Sequence, residues 1–227
     1  MGMITAHRIA AALLGGSMSG AQLETLLGTT SGLAGWKFCA ATQGLRDPLL
    51  TDATAKAAWM GSVKAVDAMA ALSADSAAVI AAESTLMASV FNTAARADAW
   101  FASATTRAAI WNSDTALTAL MASATGKARA RACAKYAVRS IVGNGAEQVF
   151  PAPLGTIGAK GILVGWSQLN GSTVSFSGRK AGSTIGTLSA SPVNGVTAAT
   201  DNVVALEGPV KTSIPNSVQM YLGVVEV

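Results

Sequence analysis

Between Thr51 and Ser123 a hydroxyl residue recurs every nine to eleven positions, at Thr51, Ser62, Ser73, Ser84, Thr93, Ser103, Ser113 and Ser123. A bulky apolar anchor keeps the same rhythm at Trp59, Met69, Val79, Val90, Trp100, Ile110 and Leu120, on a background rich in alanine. Ser and Thr compete with the backbone inside helices and favour their N-caps. The spacing therefore predicts separate short helices, each headed by a hydroxyl residue, zigzagging into a small solenoid. A continuous rod suits only the early spacings of eleven, which match a right-handed coil at about 3.67 residues per turn. Ten residues of α-helix fall about 80° short of three turns, so a straight rod would spiral the later anchors around its axis. Asn92 before Thr93 and Asn112 before Ser113 also suit helix ends.

Residues 1–50 carry other signals. Ser19-Gly-Ala-Gln22 fits a capping box, followed by Leu23, Leu26 and Leu27 and closed by Gly28. A second helix is predicted from Leu33 to Thr42, and Asp47-Pro48 reads as an N-cap with proline in the first turn of a third. The start of the chain has the basic residue and short apolar run of a secretory signal but reads as an ordinary helix.

From Ile141 onward Gly, Ser, Thr, Val and Pro replace alanine, and apolar residues alternate with polar ones. Strands are predicted over Gly161–Ser167, Thr173–Arg179, Thr184–Leu188, Asn202–Leu206 and Ser217–Val225, separated by turns such as Asn170-Gly171 and Asn194-Gly195. Five or more short strands suggest a sandwich or barrel. The expected fold class is thus segregated α+β: N-terminal short helices and Ala-rich helical repeats, then a C-terminal antiparallel β-sandwich or barrel. The expected division is 1–50, 51–140 and 141–227.

Composition and charge change this picture in two ways. Apolar residues make up 51% of the 227 positions and charged residues only 12%, about half the usual quarter. So little charge suggests a surface covered by other copies of the chain or by partners. No stretch approaches the roughly 18 consecutive apolar residues that a spanning helix needs. The net charge of +4 is also local: Lys127, Arg129, Arg131, Lys135 and Arg139 lie within thirteen residues, and the rest of the chain carries eleven bases against twelve acids. On a helix Lys127, Arg131, Lys135 and Arg139, spaced by four, would share one face. Such a stripe is a solvated face, a site for an acidic patch on a neighbouring subunit, or a contact for nucleic-acid phosphate. Tyr136 is the one interleaved aromatic residue, which argues against nucleic acid.

Catalytic patterns are scarce. His7 is the single histidine, and no paired C-x-x-C, H-E-x-x-H or EF-hand spacing occurs. Gly126-Lys127 is not a phosphate loop, because Met121 and Ala128 stand where glycine and Ser or Thr are required. Cys39 and Cys133 read as buried small hydrophobes. No enzyme activity, cofactor or metal is expected. Four of the five tryptophans fall in the helical part and suit packing. Trp166, in the β-rich part, is the candidate for ligand contact.

The segments SGAQLETLLG, VDAMAALS, SAAVIAAES and TALMAS, with the stretch KGILVGWSQLNGSTVSFSGRKAGSTIGTL, resemble tailed-bacteriophage virion proteins that place Ser/Thr-headed, Ala-rich repeats before a β-rich end. The last unit, ATGKARARA, departs from that pattern by becoming basic. The resemblance implies a virion structural protein assembled in the host cytoplasm, a tail-fibre, baseplate or collar appendage. It would dock through its N-terminal helices, associate with itself (as a trimer) and with other virion proteins, and engage neither nucleic acid nor membrane. A capsid decoration protein, or a carbohydrate-binding module reading a host surface glycan, is the alternative expectation.

Overall fold

The computed structural model describes residues 2–141, 147–149, 160–168, 174–179, 186–190, 204–213 and 218–227, with strand side chains described at 160–162, 205 and 224–227. Two compact units divide the chain, Met1–Leu86 and Met87–Val227.

The first unit contains α1 (Gly2–Leu14), α2 (Gly20–Leu26), α3 (Thr30–Ala41), α4 (Gln43–Thr51), α5 (Ala53–Met60), α6 (Val63–Leu72) and α7 (Ala74–Ala81). The predicted capping box heads α2: the Ser19 hydroxyl accepts from the Gln22 N–H, and the Gln22 side chain accepts from the Ser19 N–H. The proline expectation fails. α4 begins after the extended residue Thr42, whose carbonyl accepts from Leu45 and Arg46 N–H, so Pro48 lies inside the helix and not in its first turn. The first unit closes around Trp36 and Trp59, whose rings sit 6.5 Å apart. Both indoles are fully buried and satisfied: Trp36 Nε1 donates to Ala65 O and Trp59 Nε1 to Leu49 O.

α8 (Ser84–Asn92) runs across the division, and the second unit continues with α9 (Ala94–Ala102), α10 (Ala104–Asn112), α11 (Asp114–Ala122) and α12 (Ala124–Cys133). The array is broken into short helices, as the irregular spacing predicts. Ser62, Ser73, Ser113 and Ser123 are N-caps whose hydroxyls accept from the N–H three residues on. Asp52, not Thr51, caps α5, while Thr93 and Ser103 hold cap positions without a side-chain bond. Counting from each cap gives the buried face. The third residue (Ala55, Ala65, Ser76, Thr106, Ala116, Gly126) and the seventh (Trp59, Met69, Ile80, Trp100, Ile110, Leu120, Ala130) are all buried. The anchor expected at Val79 is thus Ile80, seven after Ser73; Val79 is only half-buried. An i, i+4 pair is the narrowest face that a two-turn helix can present.

Within each unit, helices three apart are joined. Trp36 of α3 meets Ala65 of α6, and Arg46 of α4 meets Asp75 of α7. In the second unit Asp98 of α9 meets Arg129 of α12, and Phe91 O of α8 accepts from Ser123, which ends α11 and caps α12. These pairs are 29 to 32 residues apart, so each superhelical turn uses three short helices.

Seven strands follow: β1 (Lys135–Ile141), β2 (Glu147–Val149), β3 (Lys160–Gln168), β4 (Val174–Arg179), β5 (Gly186–Ala190), β6 (Val204–Ser213) and β7 (Val218–Glu226). They form one antiparallel sheet of order β1-β7-β3-β6-β4-β5, with β2 alongside β6 beyond the end of β3. The expected β-sandwich or barrel is therefore overturned. Helix dominates the described residues, and the strands lie in a single sheet whose outer members, β1 and β5, have one partner each among the described residues. Alternation and turn residues predict strands, but not whether a sheet closes or what covers it. Here α10 and α12 pack on β3 and β7, so helices take the place of a facing sheet. The register between β4 and β6 shifts by two residues opposite Phe176–Gly178, where β6 contains Pro209. Proline cannot donate to a ladder, and a bulge is where a strand tolerates one.

Candidate functional site

The basic segment is positioned by α12. Its cap, Ser123, accepts from Gly126 N–H at 2.9 Å and donates to Phe91 O at 2.8 Å. A Cβ on Gly126 would lie 2.8 Å from Phe91 Cβ, so glycine is what lets α12 approach α8 this closely. From that fixed start Arg129 reaches Asp98 on α9 in a two-pronged contact, with Nε–Oδ1 and Nη2–Oδ2 both 2.6 Å. The hydrogen bond to Asp98 and its charge push the Arg129 guanidinium above its ordinary value.

The predicted four-residue stripe does not form on one helix. α12 ends at Cys133, and Ala134 is extended at ψ 141°. Lys127 and Arg131 lie on α12, half-buried and already engaged, while Lys135 and Arg139 lie on β1 opposite Val224 and Met220 of β7. The β-favouring run Tyr136-Ala-Val138 and the long pairing with β7 outweigh the four-residue spacing. The side chains of Lys135 and Arg139 lie outside the described residues. So does that of Trp166, whose backbone is in β3 opposite Leu222. The residue that the stripe passed over, Arg129, makes a two-pronged contact with Asp98. Its partner is 31 residues away, so the signal lies in the three-helix turn and not in local spacing.

The first unit presents a different kind of surface. Met3 and Ile4 on α1 are 59% and 61% exposed, and Phe38 on α3 is 38% exposed. α1 and α3 pack closely, since a Cβ on Gly35 would meet Thr5 Cγ2 at 2.8 Å. A shallow groove of about 340 Å³ lies beside the α2–α3 turn, floored by Leu27 and Leu33 and edged by Lys37.

Four acidic groups are paired with bases. Glu24, Asp75, Glu83 and Asp98 pair with Lys64, Arg46, Lys56 and Arg129. Cys39 is buried as expected, with its Sγ donating to Ala6 O; desolvation pushes its thiol up to about 11. Cys133 is exposed, against expectation, because it falls at the very end of α12. Among the described residues no group of His, Cys, Asp and Glu is arranged to hold a metal ion, and no single helix is long and apolar enough to cross a membrane. No known protein family's signature matches the chain, and no curated protein matches it.

Proposed function

We propose that this chain is a structural subunit of a tailed-bacteriophage virion, a tail-fibre, baseplate or collar appendage. Its N-terminal helices dock it to the particle, its short-helix array is a spacer, and its β-rich part faces outward. The observation that supports this most is the array itself. Of the eight short helices α5 to α12, all but α8 repeat one buried third-and-seventh pattern after their caps, and the ion pairs tie neighbouring turns together. A tandem array of this kind suits a spacer. The exposed Met3, Ile4 and Phe38 support docking through the first helices. A self-associated state, a trimer, accords with the low charge.

Mass spectrometry of gradient-purified virions from the producing host tests the placement: the chain is expected at a fixed ratio to the major tail or capsid protein, and its absence would sink the reading. Sedimentation equilibrium of the purified chain is expected to give three times 22.7 kDa. A monomer at micromolar concentration would remove the trimer.

A further inference from the structure

In the second unit the Arg107 and Lys160 side chains span the junction between the helical layer and the sheet. α9 ends at Ala102, so its last carbonyls have no partners within the helix. Arg107, half-buried on α10, donates through Nη1 to one of them, Phe101 O, at 2.7 Å. Its Nε donates to Glu226 O, near the end of β7, 119 residues further along the chain. A guanidinium carries five donors in a rigid fork, so one side chain can hold two carbonyls that approach from different directions. Beside it, the Lys160 ammonium at the start of β3 sits 4.2 Å from the centre of the buried Trp111 ring of α10. Val227 N–H donates to Lys160 O at 3.0 Å, which ties the ends of β3 and β7 together at this point. Ile162, Ala205, Val224 and Val225 on the strands are buried around this point.

We propose that Arg107 is a clasp, fastening the β3–β7 end of the sheet to helices α9 and α10, and that the sheet opens from the helical layer at this clasp without unfolding the helices. The helices are secured separately, by the Ser113 and Ser123 caps of α11 and α12 and by contacts between α9 and α12 and between α8 and the head of α12. The sheet is held to them by the packing of α10 and α12 on β3 and β7 and, at its β3–β7 end, by the Arg107 and Lys160 contacts. Parts that hold their own internal bonds open as separate units, and a bond that spans the junction limits that opening. The clasp does not depend on the virion reading, since it follows from the second unit alone.

Hydrogen exchange of the full-length chain, read by mass spectrometry, tests it with Arg107→Ala, Arg107→Lys and Lys160→Ala. Loss of hydrogen bonds from a charged donor is expected to speed exchange about tenfold or more in Lys160–Gln168 and Val218–Glu226 of Arg107→Ala. Amides of α11 and α12 should keep their wild-type rates. Arg107→Lys should fall between, because one ammonium cannot span both carbonyls, and Lys160→Ala should show the same pattern more weakly. Equal acceleration in helices and strands would overturn the clasp, because nothing would then open separately. Unchanged strand rates would overturn it too. If Arg107→Ala does not fold, the Arg107→Lys and Lys160→Ala rates decide the matter by the same criteria.

Discussion

Helices α5 to α12 and strands β1 to β7 draw their order from contacts of opposite reach. Each helix starts within its own repeat and closes about ten residues later, and bonds such as Asp98–Arg129 reach three helices along, while Arg107 of α10 reaches β7. The strands depend on distant partners: among the described residues, β1 at Lys135–Ile141 is paired only with β7 at Val218–Glu226. Local contacts close small loops, and the entropy of closure rises with loop length. The array can therefore be specified repeat by repeat, whereas the sheet must be specified all at once. The difference is testable by asking what each part loses when one position is changed.

The largest loss is expected at the buried indoles. Trp59→Ala should destabilise the first unit by about 3–5 kcal/mol, the usual cost of truncating a buried aromatic residue. It also leaves Leu49 O without its donor and Trp36 without its neighbour. Urea denaturation followed by far-ultraviolet circular dichroism measures this; a change below 1 kcal/mol would mean that the repeat anchors do not carry the array. Next comes Gly126→Val, which drives a branched side chain toward Phe91 Cβ at 2.8 Å and Leu120 Cδ1 at 3.1 Å. Overpacking of this kind costs about 1–3 kcal/mol. Because Gly126 sits where α12 meets α8, the loss should be the same whether read from the helical signal at 222 nm or from the fluorescence of Trp100 and Trp111.

The same contrast explains what could be read in advance. Cap residues act within three positions, so Ser62, Ser73, Ser113 and Ser123 marked helix starts from the chain alone. The buried face was legible to within one residue, and counting seven from Ser73 would have chosen Ile80 over Val79. Strand β1 was not legible. Its basic residues continue the spacing of α12, and only pairing with a segment more than seventy-five residues away makes Lys135–Ile141 a strand. Whether the sheet closed on itself was likewise invisible, because the cover comes from α10 and α12 and alternation carries no record of it. At the candidate site, the Asp98–Arg129 and Arg107–Glu226 contacts join residues 31 and 119 positions apart, and no local pattern announces either.

Smaller effects separate the working caps from the nominal ones. Ser123→Ala removes a bond to Gly126 N–H and another to Phe91 O, and should cost about 1–2 kcal/mol. Ser103 occupies the same place in its repeat but makes no capping bond. Ser103→Ala should then change stability by no more than about 0.5 kcal/mol, as at an ordinary surface position. Equal losses in the two variants, measured by the same urea titration, would show that a hydroxyl at the cap matters through the unfolded chain and not through the bond.

The smallest predicted effect depends on pH and lies where α2 meets α6. Burial alone would raise the Glu24 carboxyl. The Ser62 hydroxyl at 2.6 Å, the Lys64 N–H at 3.0 Å and the Lys64 ammonium at 3.1 Å outweigh it and hold Glu24 below its ordinary value of 4.5. Glu24 thus acts as a second cap on α6, supplied from another helix. A carboxyl whose pKa is lower in the folded chain binds protons more readily when unfolded. Its contribution is therefore full above about pH 4.5 and is lost as the pH falls through the folded value. Glu24 is largely in contact with water, so screening keeps the contribution small. The thermal midpoint of the wild type should fall more steeply below pH 4.5 than that of Glu24→Gln, whose amide keeps an acceptor but cannot titrate. Parallel curves would show that the carboxylate adds nothing to the serine cap, and the array would then be secured by its own repeats alone.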